Sequence, residues 1–350
     1  MESLISQWDG ESVVIRYDRP TGAWFIIAIH STRLGPATGG TRMKDYAKLN
    51  DAVKDALKLA AGMTYKFAVV DFPRGGGKAV INIPTDFDID KRTQMLRRYG
   101  SLIRQLGGLY ETGPDVGTSP EDMDIISETG EPYVFCCTPQ KGGAGDSAPP
   151  TALGVFSGIQ AVCEHLFNDP SPAGKRILVQ GAGSVGRILI RKLLKAGAEV
   201  LFSDVDRTTI AYFRDELKLP YVTAEDIFGT ACDIFSPCAL GGILNRETIP
   251  LLKCRAVAGA ANNQLNEPAD ALKLSEKGIL YAPDYVINAG GAIGIVGLES
   301  MGWSKKKADE QVISIQQTLR RIFEMAETEG ITTDEAARRI AESRLAGAAS

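Results

Sequence analysis

Two lysines stand twelve positions apart in otherwise apolar text: Lys66 in Gly62-Met63-Thr64-Tyr65-Lys66 and Lys78 in Arg74-Gly75-Gly76-Gly77-Lys78. Phe67-Ala68-Val69-Val70 follows the first and Ala79-Val80-Ile81 the second, whereas lysine ordinarily keeps to solvated faces. A third group, Asp115, is hemmed in by small residues in Gly113-Pro114-Asp115-Val116-Gly117-Thr118. Taken singly, these read equally as snorkelling surface lysines and a turn aspartate. Taken together, they make an acid–base set for chemistry on an amino acid. One lysine pairs with the substrate carboxylate, and the other serves as base and must be neutral part of the time. Free lysine titrates at about 10.4, and burial beside a second ammonium lowers that to about 7–8, a shift that Asp115 opposes. The glycines before Lys78 resemble a phosphate loop, but the spacing fails G-x-x-x-x-G-K-[ST] and Ala79 offers no hydroxyl for magnesium. Beside an inward-pointing lysine, a glycine run instead lets a small substrate come close to the backbone.

A second constellation is Gly181-Ala182-Gly183-Ser184-Val185-Gly186, which follows the apolar run Ile177–Val179; Asp204 comes 18 residues after Gly186. This is the context that a dinucleotide fingerprint requires. Gly181 permits the tight turn, Gly183 lets backbone approach a pyrophosphate, and Gly186 lets helix pack close to strand. The diphosphate then rests on free amides at a helix N-terminus. Asp204 can accept both ribose hydroxyls and would repel a 2′-phosphate, which favours NAD over NADP. The bland alternative is a strand–turn–helix with incidental glycines.

These groups need positioning elements. Val13–Tyr17 and Ala23–Ile29 read as strands joined by a turn at Pro20-Thr21-Gly22. Val53, Ala56, Leu57, Ala60 and Ala61 repeat at three and four, which predicts a helix over 51–62, and a second covers 95–106. A Gly/Pro/Ser-rich stretch, 142–150, approaches a domain boundary. From Ile177 strands and helices alternate: strand 177–179, helix 185–196, strand 200–203, helix 208–217, then short strands at 234–235, 256–258 and 279–281. Such alternation predicts a parallel, doubly wound sheet. The tail, 305–346, reads as two helices, the second opened by a capping box between Thr332 and Glu335. The expected architecture is α/β in two domains. Residues 1–140 form a mixed α/β substrate and oligomerisation domain, 141–330 a Rossmann doubly wound dinucleotide-binding domain, and a C-terminal helix, 331–350, packs back.

Composition narrows the function. The chain has 350 residues with 44% hydrophobic and 23% charged, enough apolar material for two cores. A net charge of −4 leaves no electrostatic footprint for nucleic acid and no polybasic membrane patch. Only His30 and His165 are present, so a three-histidine zinc site is impossible, no metal is expected, and proton chemistry falls to Lys, Asp, Glu, Tyr or Cys. The six cysteines contain no Cys-x-x-Cys and read as reduced core residues. No stretch approaches a membrane span and no apolar leader opens the chain, so a cytoplasmic protein is expected.

The chain resembles the Glu/Leu/Phe/Val amino-acid dehydrogenases over nearly its whole length. The segments that carry the resemblance are Leu34-Gly35-Pro36-Ala37-Thr38-Gly39-Gly40-Thr41-Arg42, the two lysine segments, Gly113–Thr118, the glycine fingerprint, Pro237-Cys238-Ala239-Leu240-Gly241-Gly242, Ala258-Gly259-Ala260-Ala261-Asn262-Asn263 and Tyr281–Gly291. All occur in family order. The resemblance implies that Lys66 binds the substrate carboxylate with backbone help at Gly39 and Gly40. Lys78 activates water against the imine carbon, and Asp115 shuttles protons on the amino nitrogen. Asn262 and Asn288 lie at the nicotinamide and substrate, and Thr151 faces the nicotinamide. Val205, Cys238, Ala239, Ala260 and Ala261 join the fingerprint residues in the coenzyme site. A cleft between the domains closes to exclude bulk water. The partners are an amino acid, its 2-oxo acid and ammonium, and the chain is a homo-oligomer through its first domain, whose strand-rich N-terminus suits an edge-to-edge contact.

The family pocket would be lined by Thr38, Met63, Gly113, Pro114, Ala292 and Ile295. None is charged, so a buried glutamate side chain would lack a partner. Small residues at Gly113 and Ala292 leave volume for an aromatic side chain, and Trp8-Asp9-Gly10 with Gly113-Pro114-Asp115 resembles the phenylalanine enzymes. The Thr38 hydroxyl would tune preference toward a larger or more polar side chain. Phenylalanine is therefore the expected substrate, with leucine and tryptophan as alternatives. A shikimate-type Lys–Asp alcohol dehydrogenase, a pyridoxal phosphate enzyme with Lys78 as Schiff base, and a non-enzymatic NAD sensor are the rival readings.

Overall fold

The computed structural model describes residues 2–348. Contacts gather into two units. The first comprises Met1–Asp146, Ile295–Ser304 and Ala341–Ser350, and the second Ser147–Gly294 and Lys305–Ile340. The division after Asp146 comes six residues beyond the expected 140/141 boundary. The reason is local: Ala148-Pro149-Pro150, read in sequence as part of a linker, forms the first turn of a helix, where proline costs no hydrogen bond.

The first unit runs α1 (Glu2–Ser6), β1 (Ser12–Asp18), β2 (Ala23–Ser31), β3 (Ala37–Lys44), α2 (Leu49–Val69), β4 (Gly75–Asn82), α3 (Arg92–Gln105), β5 (Tyr110–Pro114) and α4 (Pro120–Gly130). Its sheet has the order β1-β2-β4-β3-β5. β1, β2 and β4 pair antiparallel, and β3 lies parallel to both β4 and β5. Strand alternation gives the sheet two faces. On one, Ala37, Met43, Ala79, Ile81 and Tyr110 pack against Tyr99 and Leu102 of α3 and Met123 and Ile126 of α4. On the other, Ile26, Ala28 and Val80 meet Ala52, Val53, Ala56, Leu57 and Ala60 of α2. α2 continues past the expected 51–62 because Thr64, Phe67, Ala68 and Val69 are buried as well, which carries Met63 and Lys66 on one continuous helix. β4 is buried at all eight positions. Gly76 is glycine because α2 passes so close that a Cβ there would overlap Thr64.

The second unit contains α5 (Ala148–Phe167), β6 (Arg176–Gln180), α6 (Ser184–Lys195), β7 (Glu199–Ser203), α7 (Arg207–Ala211), β8 (Ile234–Pro237), β9 (Ala256–Val257), α8 (Asp270–Glu276), β10 (Leu280–Tyr281) and α9 (Asp284–Ile287). Then follow α10 (Gly290–Glu299), whose last residues group with the first unit, α11 (Lys305–Ile313), α12 (Ile315–Glu329) and α13 (Thr333–Gly347). The sheet order is β10-β9-β8-β6-β7 and every pairing is parallel. The order reverses between β6 and β8. That is the switch point outside whose carboxyl ends open α/β sheets bind ligands.

Three local expectations change. The single helix expected near 208–217 is α7 followed by a π-turn at Tyr212–Glu216. The tail holds three helices rather than two. Thr332 caps α13 by accepting from Glu335 N at 3.2 Å, but the Glu335 carboxylate turns to Arg338 and Arg339, so the reciprocal half of the box is not made. The far end of α13 returns to α2: Arg344 bonds Ala68 O (3.3 Å) and Asp71, and Tyr65 donates to Glu342. All six cysteines are free thiols. Among the described residues no helix is long and apolar enough to cross a membrane.

A Cβ on Gly186 would overlap the carbonyl of Gly181, whereas Gly183 has open space around it. Gly186→Ala is therefore expected to destabilise the protein by about 1–3 kcal/mol, read as a lowered urea midpoint, while Gly183→Ala leaves the midpoint in place. Equal midpoints for both variants would show that the turn has room to relax.

Candidate active site

In the first unit, β4 and β3 bring together the groups that the sequence separates. Lys78 points from β4 to the α2 face, being next to Ala79 and two residues from Val80. Its side chain is 7% exposed and its Nζ lies 3.1 Å from Asp115 Oδ2. Asp115 sits just past β5 in a turn held by Thr118: Asp115 N donates to Thr118 Oγ1 (2.9 Å), which donates to Thr41 O (2.7 Å). The same Asp115 Oδ2 accepts from Arg42 Nε at 2.8 Å. Arg42 Nη1 in turn bonds Asp55 Oδ2 (2.8 Å), which also accepts from Tyr46 Oη (2.5 Å). Two cations thus hold one oxygen of Asp115, and among the described residues Oδ1 makes no hydrogen bond. Arg42 carried no assigned role in the sequence, because only the sheet sets it beside Asp115.

The electrostatics follow from burial. Desolvation pulls the Lys78 ammonium below the ordinary lysine value, and the Arg42 charge acts in the same direction; Asp115 opposes both without prevailing. Burial alone would raise the Asp115 carboxyl, but Lys78 and Arg42 outweigh it and hold the group below the usual carboxylate range. The pair therefore couples a stable carboxylate to an ammonium that gives up its proton more readily than a free lysine.

Gly39 and Gly40 line the same patch. A Cβ on Gly39 would overlap Gly77 O, and one on Gly40 would press on Pro114 O and Asp115. From the opposite face, Tyr110 Oη donates to Gly39 O at 3.0 Å and Thr41 Oγ1 bonds Tyr99 Oη and Thr112 Oγ1 at 2.6 and 2.7 Å. Met63 and Lys66, half-buried, stand three residues apart on α2, hence on one helix face. Ile295 is buried in the first unit.

One expectation about the side-chain pocket needs correction. The volume ascribed to Gly113 is filled, because the Phe135 ring stands where a Cβ would project. Phe135 is held there by Phe135 N→Thr112 O (2.9 Å) and Thr112 N→Tyr133 O (3.0 Å). Charged groups also lie near these residues. Glu111 shares a face of β5 with Gly113, pairs across to Thr38 in β3, and forms a buried ion pair with Arg74 at 3.2 Å. Thr38 itself is wholly buried, and its hydroxyl donates to Pro36 O (3.1 Å).

The second unit assembles the glycine turn at the switch point. Gly181 ends β6 at φ 91°, Gly183 precedes α6 without a side-chain cap, and Ser184 is exposed. The first amide of α6 bonded back to this turn is Arg187 N, to Gly183 O. Beside the turn, Gln180 Oε1 is buried without a partner. Free amides, open space at Gly183 and an orphaned acceptor fit a dinucleotide pyrophosphate and its ribose. Asp204 accepts from Ala182 N (2.7 Å) on one oxygen and Asp206 N (2.9 Å) on the other, and each oxygen keeps a lone pair for a hydroxyl. Val205 is 89% exposed beside it. Ala239 faces Gly181 across the turn, and Cys238 lies at the end of β8.

The loop after β9 presents Ala260, Ala261 and Asn262. Asn288, 7% exposed, donates through Nδ2 to Ala260 O (3.1 Å) and Asn262 Oδ1 (2.8 Å), so the two asparagines are joined directly. A residue that the sequence did not single out, Gln264, props this loop from beneath: Nε2 donates to Gly259 O and Ala261 O at 2.9 and 3.0 Å. Thr151 Oγ1 bonds Ser147 O (2.8 Å) and lies so close to Gly291 that a Cβ there would overlap it. Ala292 is half-buried on α10.

Comparison with known proteins matches residues 17–131 to the Glu/Leu/Phe/Val dehydrogenase dimerisation domain and 202–350 to the Glutamate/Leucine/Phenylalanine/Valine dehydrogenase model. Leucine dehydrogenase of Geobacillus stearothermophilus is 43% identical, covering 97% of this chain and 91% of the relative. L-tryptophan dehydrogenase of Nostoc punctiforme is 45% identical, covering 91% and 89%. A crystal structure of L-tryptophan dehydrogenase from Nostoc punctiforme superposes with a TM-score of 0.88 at 41% identity over 99% of both chains.

The Arg42 clamp is testable without substrate. Arg42→Leu is expected to cost about 1.5–3 kcal/mol of stability at neutral pH, the worth of hydrogen bonds to charged groups. Because the folded Asp115 carboxyl titrates below its unfolded value, this contribution is present above about pH 4 and disappears as pH falls through the folded value. Urea unfolding of both proteins across acidic pH should show the two curves converging; a constant gap would place the cost elsewhere.

Proposed function

The chain belongs to the Glu/Leu/Phe/Val dehydrogenase family and is an amino-acid dehydrogenase, and on that premise we propose that it catalyses NAD-dependent oxidative deamination of an apolar L-amino acid, phenylalanine ahead of leucine and tryptophan, to the 2-oxo acid and ammonium. The observation that carries this reading is the buried Lys78–Asp115 pair, an easily deprotonated amine beside a fixed carboxylate.

In this mechanism Lys66 holds the substrate carboxylate, with the backbone at Gly39 and Gly40 close beside it. The free Oδ1 of Asp115 takes a proton from the substrate ammonium, leaving the neutral amine from which Cα can be oxidised. A nicotinamide coenzyme held at Asn262 and Asn288 would supply the hydride acceptor for that oxidation. Lys78, in its neutral form, then removes a proton from a water molecule as that water attacks the iminium carbon. Asp115 returns a proton to the departing nitrogen, and ammonium leaves as the carbonyl forms. Exclusion of other water strengthens each of these charge interactions.

Coenzyme choice rests on Asp204, whose charge repels a 2′-phosphate, and on the glycine turn with Ala182, Ser184 and Val185. Asn262 and Asn288 would hold the nicotinamide end. Thr151, Val205, Cys238, Ala239, Ala260, Ala261 and Ala292 complete the proposed binding sets. β1 is an edge strand, and unpaired edges are normally covered. We take it as the contact through which the chain forms a homo-oligomer, in keeping with its matched dimerisation domain. The free thiols suit the cytoplasm.

The test is NADH formation with each common L-amino acid at alkaline pH. Phenylalanine should far exceed glutamate, the reverse reaction should require ammonium, and Lys78→Ala should lower kcat by about 100-fold or more. Strong activity surviving in Lys78→Ala would remove the assigned base. The pH profile has a defined sign. Rate rises as Lys78 loses its proton, so Asp115→Asn, which deletes the group raising the lysine pKa, should shift the acid limb of its residual activity to lower pH. A shift upward would contradict the electrostatic assignment.

A further inference from the structure

The Arg74–Glu111 ion pair has no part in the chemistry above, yet it lies on the face that carries Lys78. Tyr110 and Thr112 point to the α3/α4 side, where the Tyr110 and Thr112 hydroxyls approach each other, so Glu111 and Gly113 point to the other. In the parallel register Gly113 lies opposite Gly40, and Glu111 opposite Thr38, which in turn lies opposite Gly76. The same register sets Gly40 level with Lys78. One row across the sheet, Lys78-Gly40-Gly113, is therefore the reacting row. The next, Gly76-Thr38-Glu111, is two strand residues away, about 6.6–6.8 Å. A side chain the length of a substituted aromatic ring, carried from the first row, would span that distance.

The chemistry of the second row is specific. Both side chains of the pair are about nine-tenths buried (10% and 11% exposed). Arg74 Nε donates to Glu111 Oε2 and Nη1 to Pro73 O, both at 3.2 Å. Among the described residues, Glu111 Oε1 and Arg74 Nη2 make no hydrogen bond. One acceptor and one donor thus remain uncommitted side by side. The neighbouring Thr38 hydroxyl is already taken by Pro36 O, and Phe135 supplies a flat apolar wall over Gly113. A buried ion pair is not a strong source of stability compared with two apolar side chains.

Resting on the dehydrogenase reading above, we propose that Arg74 and Glu111 form the terminal subsite for the substrate side chain and select an aromatic ring that ends in a hydroxyl, the phenol of tyrosine, over phenylalanine. The phenol donates to Glu111 Oε1 and accepts from Arg74 Nη2. An unsubstituted ring strips water from both atoms and returns nothing. A glutamate side chain brings its carboxylate against Glu111.

The experiment compares kcat/KM for L-tyrosine, O-methyl-L-tyrosine and L-phenylalanine with NAD. Tyrosine should exceed phenylalanine by about tenfold or more, since a site built around a hydroxyl discriminates against its absence; O-methyltyrosine, unable to donate, should fall below tyrosine by a similar factor. The Arg74→Leu/Glu111→Leu double variant removes both charges together. It should bring the tyrosine-to-phenylalanine ratio of kcat/KM down about tenfold, chiefly through the tyrosine KM. Tyrosine no better than phenylalanine in the wild type, or a ratio unmoved in a folded double variant, overturns the subsite; the three-substrate series decides the matter if the variant does not fold. NADH formation from phenylalanine or leucine with no tyrosine preference sinks the subsite alone, whereas no NADH from any amino acid sinks the dehydrogenase reading and the subsite together.

Discussion

An ammonium group on a strand buried along its entire length is the constraint around which the first unit is built. Removing a charge of that kind from water costs several kcal/mol even after the surroundings relax, and Lys78 recovers part of the cost from a single carboxylate oxygen, Asp115 Oδ2. That oxygen is itself held by Arg42, whose guanidinium is held by Asp55. The result is a chain of alternating charge in which the lysine sits at the least solvated end. Its proton is consequently looser than that of a free lysine, while the carboxylate beside it stays charged below the usual carboxylate range. An amine that gives up its proton readily beside a carboxylate that keeps its charge suits the proposed oxidative deamination.

Backbone geometry serves the same end. Glycine at 39, 40 and 76 is not general flexibility. Each position is one where a Cβ would meet neighbouring atoms, so neighbouring strands, and at Gly76 strand and helix, approach more closely than side chains allow. A layer of hydroxyls on the reverse face, Tyr99, Tyr110, Thr41 and Thr112, ties the β3 carbonyl at Gly39 and keeps that close approach in register. The second unit solves a different problem with the same economy. Its sheet is uniformly parallel, and the reversal of strand order leaves the ends of β6 and β8 open. The polar work there is done by short loops supported from below by Gln264 and Asn288.

Much of the candidate site was legible in the residues. Lys78 and Asp115 stood out because charged groups in apolar or small-residue text need an explanation, and the glycine turn because its spacing recurs wherever a strand delivers a phosphate to a helix. The parallel second sheet followed from alternation. Arg42, Glu111, Arg74, Phe135 and Gln264 were not distinguished from other polar or aromatic residues. Arg42 lies 73 positions from Asp115 and Arg74 37 from Glu111, and no local pattern marks such pairs. The Phe135 ring over Gly113 reversed an inference of empty volume, since a small residue leaves space only if no distant side chain moves in.

Periodicity, turn chemistry and motif spacing are local properties, and they alone determined the α/β class, the order of the elements and the identity of the groups able to exchange protons or cradle a diphosphate. Pairing across the sheet is not local. Which strands became neighbours, and in which register, decided that two cations share one oxygen of Asp115, that one oxygen and one nitrogen of the Arg74–Glu111 pair stay uncommitted, and that Lys78 lies in a medium poor in water. Desolvation and charge coupling depend on separations of a few ångströms between residues far apart along the chain, and only the packed tertiary structure sets those separations.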